Sequence, residues 1–343
     1  MENSLNQILN RFCSTLSLNL YTFCAFHMNK KDHPFKNHQM PLPMRLFFST
    51  LTLLFKVLGF VSPKLAGKLA LHYFMKPPNF GIPRKEKVLR DSASLEFIEV
   101  RGRKISLRSW GDNDAPTVLL SHGWGGRCTQ LHAFIKPLTD AGYRVLGFDV
   151  PGHGDSEGNK TNMLDVASII SEIEEKEGSF EAIIGHSFGT GTTLLAIDKF
   201  KVKAKKVVLI AYFSDVHFII KIFGELFDLR KSTLKVLQET ALKNFKNTYG
   251  TSWNWDEVSP INTVKSYTGK LLLIHDDKDH EVPYAQAELL QKAAPQAETL
   301  TTSGFGHRKI LMNKQCIKAT VAFVRGSLPQ FLVSADSFFV RKK

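Results

Sequence analysis

The hydrophobic positions of the chain fall into eight short runs, separated by polar stretches that contain Gly and Pro. Short apolar runs that are bounded by turn residues are typical of buried strands. They predict strands near 95–100, 104–110, 116–121, 143–149, 180–185, 205–211, 270–275 and 297–302. From the third strand onward, stretches with helical periodicity alternate with the strands, as in a parallel sheet. We therefore predict an α/β fold, with a mostly parallel eight-stranded sheet covered by helices on both faces.

The amino-terminal quarter has another pattern, in which positive charges interrupt long apolar stretches. The run 46–61 contains Lys56 and is shorter than the roughly 20 residues that a membrane-spanning helix needs. It continues into an amphipathic segment with Lys64 and Lys68 on a polar face. We favour packing of this segment on the rest of the protein, near the substrate pocket. Peripheral contact of residues 45–75 with an anionic membrane surface is the alternative.

These patterns divide the chain into four parts. We assign residues 1–44 to an extension, 45–92 to a basic amphipathic helical segment, 93–328 to the α/β domain and 329–343 to a basic tail. Within the domain, residues 212–268 are rich in aromatic and aliphatic side chains and predict a small helical cap. Two interpretations of the cap stay open: it forms one wall of a substrate pocket, with Phe213 as a candidate contact, or it only packs on the sheet.

Positive charge is concentrated at the two ends of the chain, whose net charge is +13. Residues 1–90 hold 13 Lys or Arg and 3 Asp or Glu, whereas residues 91–340 hold 29 of each sign. The neutral domain argues against a nucleic-acid groove. The four cysteines have no metal-binding or paired spacing, so we expect free thiols, no metal and a cytoplasmic location. Residues 1–40 lack the pattern of a signal peptide.

One pentapeptide carries the clearest chemical signal. Residues 185–189 read Gly-His-Ser-Phe-Gly and lie between a predicted strand, 180–184, and a predicted helix, 190–199. In that context a G-x-S-x-G motif is a sharp turn, which holds its serine in a strained conformation at the carboxyl edge of the sheet. Ser187 is therefore the candidate nucleophile. The alternative is a Gly-rich turn with an idle serine.

A serine hydroxyl becomes a nucleophile only when a base, held by a third group, can take its proton. His307 lies in a Gly-flanked loop after the last predicted strand, where a base can reach Ser187. For the acid we choose Asp279, which lies three residues before the start of the next helix at residues 282–283. Three other acids stay open as alternatives to Asp279: Asp276, Asp277 and Asp215.

Two backbone N–H groups are the candidate stabilisers of a negatively charged reaction intermediate. One belongs to Phe188, the residue after the serine, and the other to Trp124, in the glycine-rich loop after the third strand. The indole of Trp124 is also a candidate substrate contact. We expect structural roles for the remaining residues of these loops that could be mistaken for catalytic ones: His122, His153, Asp155, His186, His275 and His280.

Taken together, these motifs resemble those of the α/β-hydrolase superfamily. The matching pieces are residues 121–125, 149–156, 185–189, 275–283 and 304–308, and they occur in the family's order. The resemblance implies a nucleophile at Ser187, an acid at Asp279, a base at His307 and oxyanion donors at Trp124 and Phe188. It covers residues 93–328 and implies a hydrolase that needs no cofactor.

The reaction that we expect is hydrolysis of a carboxylic ester, or a related acyl bond, of a small-molecule substrate. Acyl transfer, an aminopeptidase activity and a hydrolase-like protein without catalysis stay open as alternatives, because this fold serves many chemistries. One departure from the family pattern concerns the acid loop, which begins His275-Asp276 where the family often has His-Gly. Nothing in the sequence favours one oligomeric state.

Overall fold

The computed structural model describes residues 42–78 and 81–327. The predicted tail, almost all of the predicted extension, Cys13 and Cys24 lie outside the described residues. Cys128 and Cys316 are free thiols and both are buried. None of the helices within the described ranges is both long enough and apolar enough to cross a membrane.

Eight strands form a single sheet. They are β1 (Ser94–Val100), β2 (Arg103–Trp110), β3 (Thr117–Ser121), β4 (Arg144–Phe148), β5 (Phe180–His186), β6 (Ala204–Ile210), β7 (Lys270–Asp276) and β8 (Glu298–Thr302). Their order across the sheet is β1-β2-β4-β3-β5-β6-β7-β8. β2 pairs antiparallel with β1 and β4, and the other neighbours are parallel. The predicted α/β fold class is confirmed.

Alternate residues of the central strands enter the cores on opposite faces of the sheet, as the two-residue period of a strand requires. On β3, Leu119 packs with the core on one face, and Val118 and Leu120 pack with the core on the other. The first face is covered by α5 (Met163–Glu177), α6 (Phe188–Phe200) and α10 (Tyr284–Ala293). The second is covered by α4 (His132–Asp140) and α12 (Lys314–Arg325). Because both faces are buried, the strands read as almost continuous apolar runs.

The segment between β6 and β7 is helical. It contains α7 (Val216–Leu226), α8 (Lys231–Tyr249) and the short α9 (Pro260–Thr263). Asp215 caps α7, since its carboxylate accepts the N–H of His217 at 2.8 Å. We refer to α7 and α8 as the cap. The remaining short elements are α11 (Gly306–Lys309) and three 3-10 turns, Cys128–Leu131, Val264–Ser266 and Ile310–Met312.

Within the described residues, three helices precede the sheet: α1 (Leu42–Val61), α2 (Pro63–Phe74) and α3 (Arg84–Asp91). The first two pack on the cap. On α1, Phe48 stacks on Phe227 with ring centroids 5.8 Å apart, and Phe55 meets the same ring edge-on at 5.4 Å. α2 lies so close to α8 that a Cβ on Gly67 would be 2.5 Å from Val236. The amino-terminal helices and the cap therefore form one continuous layer.

Candidate active site

Ser187 stands at the sharp turn between β5 and α6. Its φ of 52° and ψ of −116° lie where non-glycine residues are strained. The turn leaves no room for side chains on the two flanking glycines. A Cβ on Gly189 would be 2.1 Å from the carbonyl oxygen of Ser121, and a Cβ on Gly185 would be 2.7 Å from the carbonyl oxygen of Gly189. The turn brings the serine to the carboxyl end of β5, as the motif predicts.

Three side chains from distant parts of the sequence meet at this edge of the sheet. Nε2 of His307 lies 2.8 Å from Oγ of Ser187. Nδ1 of the same ring lies 2.8 Å from Oδ2 of Asp279. The other oxygen of Asp279 accepts the backbone N–H groups of Glu281 and Val282, at 2.8 and 2.9 Å. The acid therefore holds the imidazole with one oxygen while its own loop fixes the other.

The interactions within this group raise the pKa of His307 and lower the pKa of Asp279. Burial lowers the pKa of His307, but its hydrogen bond to Asp279 and the charges of Glu281 and Asp279 outweigh burial and raise the pKa above 6.5. Burial raises the pKa of Asp279, but the hydrogen bond and charge of His307 outweigh it and hold that pKa below 3.8. Asp279 is thus ionised throughout the neutral range.

The other candidate acids have different contacts. Asp276 accepts the hydroxyl of Thr302 at 2.7 Å and the backbone N–H groups of Gly304 and Phe305 at 3.1 and 3.0 Å. It therefore ties the acid loop to the loop that carries His307. Asp215 caps α7, and Asp277 is half-exposed, with its backbone N–H bonded to the carbonyl of Thr302. Of the four acids, Asp279 is the one that the structure joins to His307.

Three buried histidines near the site bind backbone rather than a reacting group. Nε2 of His122 accepts the N–H of Val150 at 3.0 Å. Nε2 of His186 lies 2.9 Å from the carbonyl of His307, and Nε2 of His275 lies 2.9 Å from that of Val282. Burial lowers the pKa of His186 to about 3. His280, by contrast, is exposed.

The loop after β3 runs alongside the serine. A Cβ on Gly123 would lie 3.3 Å from Cβ of Ser187. On either side of Trp124 the backbone is engaged: the N–H of Gly123 donates to Oε1 of Gln130 at 3.1 Å, and that of Gly125 to Nε2 of His153 at 2.8 Å. Within the described ranges, the N–H of Trp124 itself makes no hydrogen bond.

The second candidate donor, Phe188, is the first residue of α6. The first N–H groups of a helix have no partner inside it and lie at its positive end. The rings of Phe188 and Trp124 meet edge-on with centroids 5.1 Å apart. Both predicted donors therefore belong to residues next to Ser187, and their role as an oxyanion hole stays a prediction.

Asp149, at the end of β4, organises the loop that contains His153 and Asp155. Its carboxylate accepts the hydroxyl of Ser106 at 2.9 Å and the N–H groups of Cys128 and Asp155 at 2.8 and 2.9 Å. Asp155 in turn pairs with the guanidinium of Arg108 at 2.6 Å and with that of Arg90. Burial lowers the pKa of His153 to about 3, so it accepts from Gly125 as a neutral ring. These contacts are structural.

An apolar cavity of about 240 Å³ opens beside Ser187 and His307. Trp124 and Phe213, the two predicted substrate contacts, both line it. Sequence reasoning favoured packing of the amino-terminal segment near the pocket but did not name the residues that it supplies, which are Leu71, Phe74 and the neighbouring Met75. The apolar face of the amphipathic segment around residues 63–74 was the sequence signal that could have identified these lining residues. The cap and the domain supply further lining residues: Met163, Leu195, Ile219, Ile222, Phe223, Leu226, Phe227, Ala241, Phe245 and Val258.

One charged pair at the cavity was also missed. Glu281 lines the cavity and accepts Nε and Nη2 of Arg308 at 2.9 and 3.2 Å. The two residues flank the acid and the base in sequence. In the described part of the chain, no group of three or more His, Cys, Asp or Glu is arranged to hold a metal ion.

Comparison with known proteins agrees with this geometry. Residues 116–254 match the family model of the α/β-hydrolase fold, and residues 243–332 match that of TAP-like proteins. The chain belongs to the α/β-hydrolase superfamily.

Among curated proteins, the chain is similar to proline iminopeptidase PfmaB of Pestalotiopsis fici, with 35% identity over 103 residues. That match spans 28% of this chain and only 36% of the relative. Among solved structures, the fold is similar to serine hydrolase CCSP0084 of Cycloclasticus zankles, with a TM-score of 0.52 and 17% identity over 68% of this chain and 99% of that one. It is also similar to the thioesterase domain of the curacin biosynthetic pathway, with a TM-score of 0.51 and 18% identity over 68% and 99%.

Proposed function

We propose that this protein is a serine hydrolase that cleaves a carboxylic ester or related acyl bond through an acyl-enzyme intermediate. The observation that carries the proposal is the pair of 2.8 Å contacts that link Ser187 to His307 and His307 to Asp279, beside an apolar cavity. A hydroxyl, a base and an orienting acid in this relation are what acyl transfer to serine requires.

In the proposed reaction, Oγ of Ser187 attacks the carbonyl carbon while His307 takes its proton at Nε2. Asp279 holds the Nδ1–H tautomer and stabilises the imidazolium. The backbone N–H groups of Trp124 and Phe188 bind the oxyanion. The imidazolium then protonates the departing alcohol, and a water molecule, deprotonated by His307, releases the acid and restores the serine. This chemistry needs no metal and no cofactor.

The shape and polarity of the cavity favour a substrate with an uncharged acyl chain. Its walls are almost entirely aliphatic and aromatic, and burying methylene groups there contributes about 0.8 kcal/mol each. We therefore propose esters of medium or long acyl chains over acetate esters. Acyl transfer remains an alternative on the same residues, with an alcohol or thiol in the place of water, and analysis of the products formed with added methanol separates the two.

An aminopeptidase activity is the second candidate, because the curated relative is named a proline iminopeptidase. Recognition of a free α-ammonium group calls for an available carboxylate near the nucleophile. Glu281, the carboxylate that lines the cavity, is already paired with Arg308. This pairing favours the ester substrate. Comparing the rates at which the protein hydrolyses prolyl p-nitroanilide and p-nitrophenyl octanoate decides between the aminopeptidase and the ester hydrolase.

The direct test replaces the nucleophile. We expect Ser187→Ala to lower kcat/KM for p-nitrophenyl octanoate by at least about 10⁴-fold, because no other group can form the acyl-enzyme. The exposed Ser252, replaced by Ala, is the matched control and should leave activity unchanged. A fluorophosphonate probe should label the wild type and fail to label Ser187→Ala. Full activity of Ser187→Ala would exclude the proposal, and a folded wild type that neither labels nor hydrolyses esters would favour a binding protein without catalysis.

A further inference from the structure

The outer face of α1 carries a stripe of apolar side chains that no part of residues 42–78 or 81–327 covers. Leu53, Val57 and Phe60 are 62%, 53% and 77% exposed. Leu42 and Leu46 continue the stripe toward the start of the helix, at 65% and 59%. At 100° per residue these five positions fall within a narrow arc, on the side away from Phe48 and Phe55. We call these five residues the outer stripe.

α1 is therefore apolar on two opposite faces, which is unusual for a helix on a protein surface. Its inner face packs on Phe227 of the cap. This packing explains the apolar residues of the inner face but not those of the outer face. Contiguous exposed apolar surface of this kind marks a docking site. Val61 and Leu65, which are 74% and 53% exposed, extend the stripe across the junction with α2.

The charged side chains of α1 and α2, the two helices that carry the stripe and its extension, are all positive. Residues 42–74 contain no Asp or Glu, whereas Arg45, Lys56, Lys64 and Lys68 supply four cations. The guanidinium carbon of Arg230 lies 5.4 Å from the centre of the Phe60 ring. One acid is close: Asp228 pairs with Lys56 at 2.8 Å. An apolar face with a basic border is complementary to a surface that is apolar within and negatively charged at its edge.

We propose that the outer stripe docks on an anionic lipid bilayer surface, with the basic residues on the phosphate groups and the apolar side chains among the acyl chains. Charge disfavours the two other occupants. A second copy docked through the same stripe would bring two basic helices together. Residues 1–41 carry four basic and two acidic residues, so they do not offer a complementary negative segment.

Docking in this way has a consequence for substrate access. The same two-helix segment that bears the outer stripe also provides Leu71 and Phe74 to the cavity, and Phe227 joins the inner face of α1 to the cavity wall. A lipid-bound protein would hold the cavity wall close to a store of acyl substrates. The docking itself does not depend on the proposed hydrolysis.

The test measures co-flotation of the full chain with extruded vesicles. We expect binding to phosphatidylcholine vesicles that contain phosphatidylglycerol, weaker binding to phosphatidylcholine alone, and a decline with added salt. The double variant Leu53→Glu/Val57→Glu should bind at least about tenfold less. The matched control is Val88→Glu/Leu289→Glu, which changes residues that are 75% and 43% exposed elsewhere and should bind as wild type.

A second pair of variants tests the charges. Lys64→Gln/Lys68→Gln should lose binding to the anionic vesicles, whereas Lys314→Gln/Lys318→Gln, which are equally exposed on α12, should not. Circular dichroism and hydrolysis of soluble p-nitrophenyl butyrate should be unchanged in all four variants. No vesicle binding by wild type, or a dimer that Leu53→Glu/Val57→Glu turns into a monomer, would overturn the proposal. Ser187→Ala should bind vesicles as wild type does, so a failed hydrolase proposal remains distinguishable from failed docking.

Discussion

The proton acceptor of the proposed reaction is a single imidazole, and its surroundings determine when it is neutral. His307 must be unprotonated at Nε2 to take the proton of Ser187. Burial lowers its pKa, but Asp279 and Glu281 together raise it above 6.5. The imidazolium therefore persists to a higher pH than in an ordinary histidine. We expect kcat/KM to rise with pH along an acid limb whose midpoint lies above 6.5.

Replacing Glu281 tests why the pKa of His307 is raised. It leaves Ser187, His307 and Asp279, the proposed catalytic triad, in place. Glu281→Gln removes a negative charge that raises the pKa of His307 and leaves the cation of Arg308, which lowers it. The acid limb of the kcat/KM profile should move to lower pH. Glu288→Gln, at an exposed position on α10, is the control and should leave the limb in place. An unchanged limb in Glu281→Gln would contradict the electrostatic account.

At the residue scale, most of the site follows from chain order. Ser187 is fixed by its motif, and His307 by its place after the last strand. The choice between Asp276 and Asp279 is harder to make from sequence, because only two residues separate the two acids and the sequence does not show where their side chains point. The structure separates them: Asp276 binds the loop of His307, and Asp279 binds its ring. The Glu281–Arg308 pair joins the loop after β7 to α11, so sequence spacing alone could not reveal it.

At the scale of elements, the turn between β5 and α6 depends on close contact with the end of β3. Gly189 is the tightest point, since a Cβ there would be 2.1 Å from the carbonyl oxygen of Ser121 and 2.9 Å from that of His122. Neither backbone oxygen can move away without shifting the loop that carries Trp124. We expect Gly189→Ala to lower the free energy of unfolding by about 1–3 kcal/mol and to reduce esterase activity.

Urea unfolding and ester hydrolysis measure the two effects. Gly81→Ala is the matched control, because a Cβ on Gly81 has no atom of the described residues within 4 Å. It should leave both the free energy of unfolding and the activity unchanged. If Gly189→Ala is as stable and as active as Gly81→Ala, the close contact between the turn and β3 does not exist in solution.

The strands were predictable because each face of a strand repeats every second residue and both faces of this sheet are buried. All eight predicted strands are present, with ends that differ by at most one residue. The amino-terminal helices were harder to interpret. α1 is apolar on both faces, so its pattern does not say which face meets protein and which stays exposed. Only the contacts of Phe48 and Phe55 with the cap determine its orientation.

At the scale of the whole molecule, the cavity exists only because three distant segments meet. The amino-terminal helices give Leu71, the cap gives Phe223, and the α/β domain gives Met163 and Leu195. Ser187, His307 and Asp279 lie at the sheet edge. In the proposed reaction, selection of the acyl chain would therefore fall to a layer that contains none of the reacting groups. Substrate preference should therefore change without loss of the chemical step when that layer is altered.

Ala241 on α8 is buried and lines the cavity, so a larger side chain there occupies space that an acyl chain would use. Each methylene that stays in water forgoes about 0.8 kcal/mol, so excluding about two of them lowers kcat/KM roughly tenfold. We expect Ala241→Leu to show this loss with p-nitrophenyl decanoate and little change with the butyrate ester. Ala285→Leu, on the exposed side of α10, should keep the wild-type profile. An equal loss on both esters would mean that Ala241→Leu disturbs the fold or the triad rather than the acyl site.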